Sequence, residues 1–268
     1  GAGLIFTGHM FIDQGGAYSK KQTGIYDDTL IPGLKSLTDA VHQEGGVIFA
    51  EVTHAGSQSQ LPESPLHAPS PIPNAYTGRT PSEMSSENIE LTIDAFGQAA
   101  RRVAEAGFDG IHLHGHNGYL LSEFCSPYAN HRDDPWGGDA ERRGRFLNLV
   151  CRAIREAIGP DLPFTLKMGV ADHLAPGGLV PSGGLTIEES VKRAEELEEY
   201  VDAIEASVGV VHAMPPRYAG VGPRRAMQDW LFHRVFSAPG PEAYLLPQAR
   251  ALKNRLKVPV IAVGGIRT

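Results

Sequence analysis

GIHLHGHNGYLLSEFCSPY, residues 110–128, decides how the rest of the chain is read. It opens as a short apolar strand in which Ile111 and Leu113 alternate with His112 and His114. Successive strand side chains point to opposite faces, so the histidines share one face and the aliphatic residues the other. The chain then turns through Gly115 and Gly118, and His114, Asn117 and Tyr119 fall within six positions. Two neutral hydrogen-bonding groups and a phenol at the mouth of a strand can grip a carbonyl oxygen and supply a proton.

Working outward, other segments repeat the two-faced pattern. In residues 46–54, Glu51 and Thr53 oppose Ala50 and Val52. In residues 163–170, Thr165 and Lys167 oppose Phe164, Leu166 and Met168. In residues 203–208, Glu205 and Ser207 oppose Ile204 and Ala206. Residues 4–11 and 259–264 read as two further apolar strands. Helical spacing separates these strands at residues 29–44, 86–106, 142–158, 186–200 and 242–256. Ser86 is the expected N-cap of the second helix, and Thr186 with Glu189 fits a capping box. Residues 58–82 are rich in proline and serine and read as a loop and lid.

Strands alternating with helices imply βαβ units and a parallel sheet. A doubly wound sheet is apolar on both faces. A barrel has one apolar outer face and an inner face that becomes a site at its C-terminal mouth. The polar residues gather on one face, so the expected fold is an α/β, (β/α)8 TIM barrel, incomplete, with about six of eight strands present. The plainer alternative is that Glu51, Glu205 and Lys167 only pair with one another inside the barrel, although buried charges are costly to keep.

The bulk composition sets limits. The 268 residues are 41% hydrophobic and 21% charged, ample for a packed core. Lys+Arg number 24 against Asp+Glu 31, and no basic block is long enough for a nucleic-acid stripe. No apolar run is long enough to span a bilayer. Cys125 and Cys151 have no metal-ligand spacing and read as free thiols in a reducing compartment, the cytosol. The expected partner is a small-molecule substrate, with no nucleic acid or membrane; homo-oligomerisation is left open. Gly1 opens in mid-strand and the chain stops after a glycine turn, so a fragment of one domain, residues 1–268, truncated at both ends, is expected.

HGHNGYLLSEFCSPYANHRDDPWGG, followed by ERRGRF, resembles the signature of the Old Yellow Enzyme family of flavin-dependent ene-reductases. EVTHAG, LKMG and AVGGIRT support it in family order across nearly the whole chain. The long motif is highly specific; each supporting piece alone is weak. The resemblance implies a (β/α)8 barrel holding FMN at its C-terminal mouth, reduced by NADH or NADPH. The flavin then passes hydride from N5 to the β-carbon of an activated alkene.

By resemblance, His114 and Asn117 bind the substrate carbonyl oxygen and Tyr119 gives a proton to the α-carbon. Two donors aimed at that oxygen stabilise a developing enolate, each contributing about 3 kcal/mol. Lys167 aligns with a basic residue near flavin N1 and O2. Glu51 stands where the family usually has glutamine, and an ionised carboxylate can only accept hydrogen bonds. The expectation is that Glu51 pairs with Lys167, so that the two departures compensate. Gly264 and Gly265 would form half of the FMN phosphate site, since glycines allow close backbone approach. His9 falls where the family often touches flavin. The motif residues Asn130, Arg132, Asp134, Gly137, Gly138, Arg143 and Arg145 read as architecture, and His54 as a residue shaping the mouth.

Three rival readings stay open. His112 and His114 form an HxH pair that could share a zinc ion, as in a metal-dependent hydrolase barrel, with His54, His173 and His212 as further ligands. A different FMN barrel oxidoreductase is the second, and a non-catalytic remnant with exposed sheet edges the third.

Overall fold

The computed structural model describes residues 2–74, 77–173, 183–211, 243, 245–264 and 266. Its strands in chain order are β1 (Ile5–Phe6), β2 (Met10–Phe11), β3 (Ile48–Thr53), β4 (His67–Ala68), β5 (Ser82–Glu83), β6 (Gly110–Gly115), β7 (Phe164–His173), β8 (Ala203–Val211) and β9 (Val260–Ala262). All the pairings between these strands are parallel. The main sheet runs β1-β3-β6-β7-β8-β9, with β2 also on β3; β4 and β5 form a separate pair within the long loop. Counting β1 and β2 as one interrupted strand gives six positions of an incomplete (β/α)8 TIM barrel, as expected.

The helices are α1 (Ile31–Gln43), α2 (Ser86–Glu105), α3 (Leu120–Cys125), α4 (Ala140–Ile158), α5 (Ile187–Leu197) and α6 (Leu246–Lys253). The N-cap of α2 is Ser85, one residue before the predicted Ser86, and its hydroxyl accepts from the Asn88 N–H at 3.1 Å. Ser86 instead accepts from the Trp136 indole at 3.1 Å. Thr186 caps α5 as predicted. The Glu189 side chain goes elsewhere, bonding Arg143 and Arg193, because two buried guanidinium groups attract it more strongly than one backbone N–H.

The outward residues of the strands meet the helices. Ala50, Val52, Ile111, Leu113, Phe164, Leu166, Ile204 and Ala206 belong to one buried cluster with Phe96 and Val103 of α2 and Phe146 and Ile154 of α4. Burying each large apolar side chain contributes roughly 1.5–3 kcal/mol, and this layer fixes the inward aim of the alternate residues. The motif after the turn is architectural. Asn130 Nδ2 donates to the Phe124 and Trp136 carbonyls, both at 2.8 Å. Arg132 binds Asp134 and the Met84 carbonyl, while Arg143 reaches Glu189 at 3.0 Å. Arg145 lies over the Trp136 ring. Cys125 and Cys151 are buried free thiols.

Candidate active site at the strand mouth

Register builds the site. Pairing sets Glu51 beside His112 and His112 beside Thr165; His114 lies beside Lys167, and Lys167 beside Glu205. All are buried except Lys167, which is part-exposed. Glu51 reaches diagonally across the staggered strands to His114, with Oε1 2.6 Å from Nδ1. Its Lys167 contact is looser, at 4.0 Å. Lys167 lies closer to Glu205, at 3.2 Å, so the expected Glu51–Lys167 pair is the weaker of the two. The His112 ring nitrogens face Thr165 at 2.7 Å and Glu205 at 3.5 Å.

After β6 the backbone reverses. Asn117 adopts φ 54° and Gly118 φ 71°, a region asparagine tolerates and glycine favours. A Cβ on Gly118 would stand 2.7 Å from Gln58 Nε2. The Asn117 N–H donates to the Val208 carbonyl at 3.0 Å, and Gln58 Nε2 donates to the Asn117 carbonyl. The turn is therefore clamped from β8 and from the long loop, and Tyr119 stays beside His114. The His114 and Tyr119 rings are 4.5 Å apart. His9 joins them, 5.3 Å from His114 and 5.5 Å from Tyr119.

Among the described residues, several polar atoms here lack a partner. His114 Nε2, His116 Nε2 and Asn117 Oδ1 are buried without a hydrogen bond. Such groups are costly to bury empty-handed, so they mark where a ligand belongs. Burial first, then the neighbouring His9, Lys167 and His112, holds the His114 pKa well below the usual histidine range. Burial likewise keeps His116 low, with His114 and Lys167 beside it. The Tyr119 phenol is pushed upward by burial, then by Tyr18 and Glu51, so it keeps its proton at neutral pH.

The structure thus brings together His114, Tyr119, Glu51, Lys167 and His9, with Asn117 on the turn between His114 and Tyr119. Gly264, with φ 92°, lies two residues beyond β9, while Gly265 falls outside the described residues. His212 falls outside them too, as does the side chain of His173. His54 shapes the turn and its surroundings. Its carbonyl accepts from the Leu120 N–H, and its ring lines a separate cavity of about 210 Å³ with Asp13, His67 and Asn88.

Sequence reasoning passed over His116, whose Nδ1 lies 2.9 Å from Ser207 Oγ. The signal was present, since His116 continues the two-residue spacing of His112 and His114. The HxH pair itself does not converge on one point. The described metal-capable group is instead Glu51, His114 and His116, with one ligand atom of each within 4.8 Å of the others.

A parallel barrel sheet with convergent polar groups at its strand ends defines a small-molecule enzyme scaffold. The chain belongs to the NADH:flavin oxidoreductase / NADH oxidase family, whose model matches residues 1–268. It is 36% identical over 271 residues to a metal reductase of Desulforamulus reducens, covering 100% of this chain and 37% of that protein. It is 36% identical over 273 residues to an NADH oxidase of Thermoanaerobacter brockii, covering 100% and 38%. The chain therefore spans under two fifths of the length of both relatives. Among solved structures, the Old Yellow Enzyme homologue of Zymomonas mobilis superposes with a TM-score of 0.66 at 27% identity, over 76% of this chain and 60% of that one. Among the described residues, no helix is long and apolar enough to cross a membrane.

Proposed function

We propose that this chain is an FMN-binding barrel domain of an NAD(P)H-dependent oxidoreductase that reduces the C=C bond of α,β-unsaturated carbonyl compounds. The observation that carries the reading is the buried pair of His114 and Tyr119, 4.5 Å apart, at the strand mouth, with Asn117 on the turn between them. Family membership supports the flavin and the nicotinamide reductant.

The residues present fit the cofactor. The Lys167 ammonium offers a cation for the electron-rich pyrimidine edge of an isoalloxazine, with Glu51 beside it. His9 stands near His114, and Gly264, at φ 92°, has the backbone freedom that close approach to a phosphate needs. When bound, FMN supplies hydride to the substrate β-carbon.

The protein's share of the chemistry lies in its side chains. Asn117 donates to the carbonyl oxygen, and so does His114 in the tautomer that carries its proton on Nε2; each contributes about 3 kcal/mol to stabilising the charge that develops there. Tyr119, kept protonated by burial, delivers a proton to the α-carbon. The loop carrying Gln58 braces the Asn117 carbonyl and so holds the clamp in register. Both nicotinamide forms serve as candidate reductants. Two buried free thiols suit a reducing compartment, and we assign the cytosol.

The test is an anaerobic visible spectrum of the full-length protein. A flavin band bleached by NAD(P)H and restored by cyclohexenone supports the reading. A colourless, metal-bound protein overturns it.

A further inference from the structure

We propose that Glu51, His114 and His116 form a binding site for a divalent transition-metal ion such as Zn²⁺, overlapping the carbonyl clamp. One ligand atom from each residue lies within 4.8 Å of the other two. All three residues are buried, the two histidines by more than nine-tenths. Two imidazoles and one carboxylate, with a fourth position open, are a donor set that zinc accepts.

Three independent observations point to a ligand here. Among the described residues, His114 Nε2 and His116 Nε2 are both buried without a hydrogen-bond partner, so each ring presents an unused ligand atom. Glu51, now beside His114 Nδ1, turns from that nitrogen to ligate the ion, while the opposite nitrogen of His116, Nδ1, is engaged by Ser207. Such outer contacts orient metal-binding imidazoles. The charges also leave room for a cation. Among the described residues, the mouth carries two buried carboxylates, Glu51 and Glu205, against the ammonium of Lys167. Lys167 stands nearer Glu205, at 3.2 Å, than Glu51, at 4.0 Å. Glu205 therefore absorbs most of that positive charge, and Glu51 keeps negative charge to offer an ion.

His112 does not belong to the site. Its nitrogens face Thr165 and Glu205 rather than the other two rings. The metal-binding pair on this segment is accordingly His114 and His116.

A metal ion and a carbonyl substrate exclude one another, because His114 cannot serve both. This consequence rests on the proposed function; the metal site itself does not. Zinc then acts as a reversible inhibitor competitive with the carbonyl compound.

The experiment is a titration of the flavin-loaded full-length protein with Zn²⁺ by calorimetry and with Co²⁺ by visible spectroscopy. The site predicts one equivalent of zinc and the intense d–d bands of four- or five-coordinate cobalt. His116→Ala lowers zinc affinity at least tenfold to a hundredfold, the range that supporting residues alone command. His112→Gln leaves the affinity unchanged. Zinc binding that His116→Ala does not weaken, or that His112→Gln abolishes, overturns the assignment. Should His116→Ala fail to fold, a weak six-coordinate cobalt spectrum in the native protein overturns it equally. Cyclohexanone displacing zinc supports the overlap with the clamp. Zinc bound tightly while cyclohexanone binds undisturbed sinks the overlap and leaves the metal site standing.

Discussion

Glu51 Oε1 stands 2.6 Å from His114 Nδ1 and 4.0 Å from Lys167 Nζ, so the carboxylate holds the imidazole more closely than the ammonium. The inner face of the sheet is thus a chain of contacts, from His114 to Glu51, across to Lys167, and on to Glu205 and His112. Burial works to raise the Glu205 pKa, but His112 and Lys167 outweigh it and hold this carboxyl below the usual range.

Removing the one ammonium from this chain strands two carboxylates. Lys167→Met is expected to cost roughly 2 kcal/mol at neutral pH, below the 3–5 kcal/mol of a fully buried pair because the lysine is partly exposed. Adding Glu205→Gln restores part of the loss. Urea unfolding of the single and double variants measures it, and strictly additive losses would show that the two groups are not coupled.

The carbonyl clamp can be weakened without disturbing its backbone. Asn117 sits at φ 54°, so Asn117→Gly removes the amide and keeps the turn. Turnover with an enone should fall about 10²–10³-fold, the usual loss for one oxyanion donor. Reduction of the flavin by NAD(P)H should be little changed. Stopped-flow measurement of each half-reaction separates the two, and an unaffected enone step would remove Asn117 from the clamp.

Glu123 supplies a pH test of stability. Burial raises its pKa from 4.5 to about 8, against the opposing hydrogen bonds from Ser57. A raised acid binds its proton more tightly folded than unfolded, so stability is lost as pH rises from about 4.5 to about 8. The expected slope approaches 1.4 kcal/mol per pH unit at most. Glu123→Gln should flatten this slope, and an unchanged slope in thermal melts across that range would contradict the assignment.

Gly169 marks a tight approach of β7 to β8. A Cβ there would stand 2.6 Å from Gly209 Cα and 2.9 Å from the Val208 carbonyl oxygen. Both are backbone atoms that cannot swing aside. Gly169→Ala is expected to destabilise by about 1–3 kcal/mol, as overpacking does. A shifted denaturation midpoint reports it; a neutral result would mean that the strands separate freely at this point.

Much of this fold was legible in the sequence because its faces are set locally. The alternation of Ile111 and Leu113 with His112 and His114 needs only the two-residue period, and β6 spans the predicted residues 110–115. The first strand was not legible as built. Thr7 breaks it, since its hydroxyl accepts the Glu51 backbone N–H, a contact across 44 positions. The helix α3 was missed because all six of its residues are buried, which erases the polar face that signals a helix. His114, Asn117 and Tyr119 were readable as a group from one short turn. The partner of Glu51 was not, because the choice between His114 and Lys167 depends on the stagger of neighbouring strands.

The central claim is that Tyr119 is the proton donor above a clamp formed by His114 and Asn117. Its most direct test is Tyr119→Phe, followed by stopped-flow spectroscopy in both half-reactions. Oxidation of the reduced flavin by cyclohexenone is expected to slow about 10²–10⁴-fold, the range of general acid catalysis, while reduction by NAD(P)H stays near the native rate. Equal slowing of the two half-reactions, or no slowing of the enone step, would contradict it.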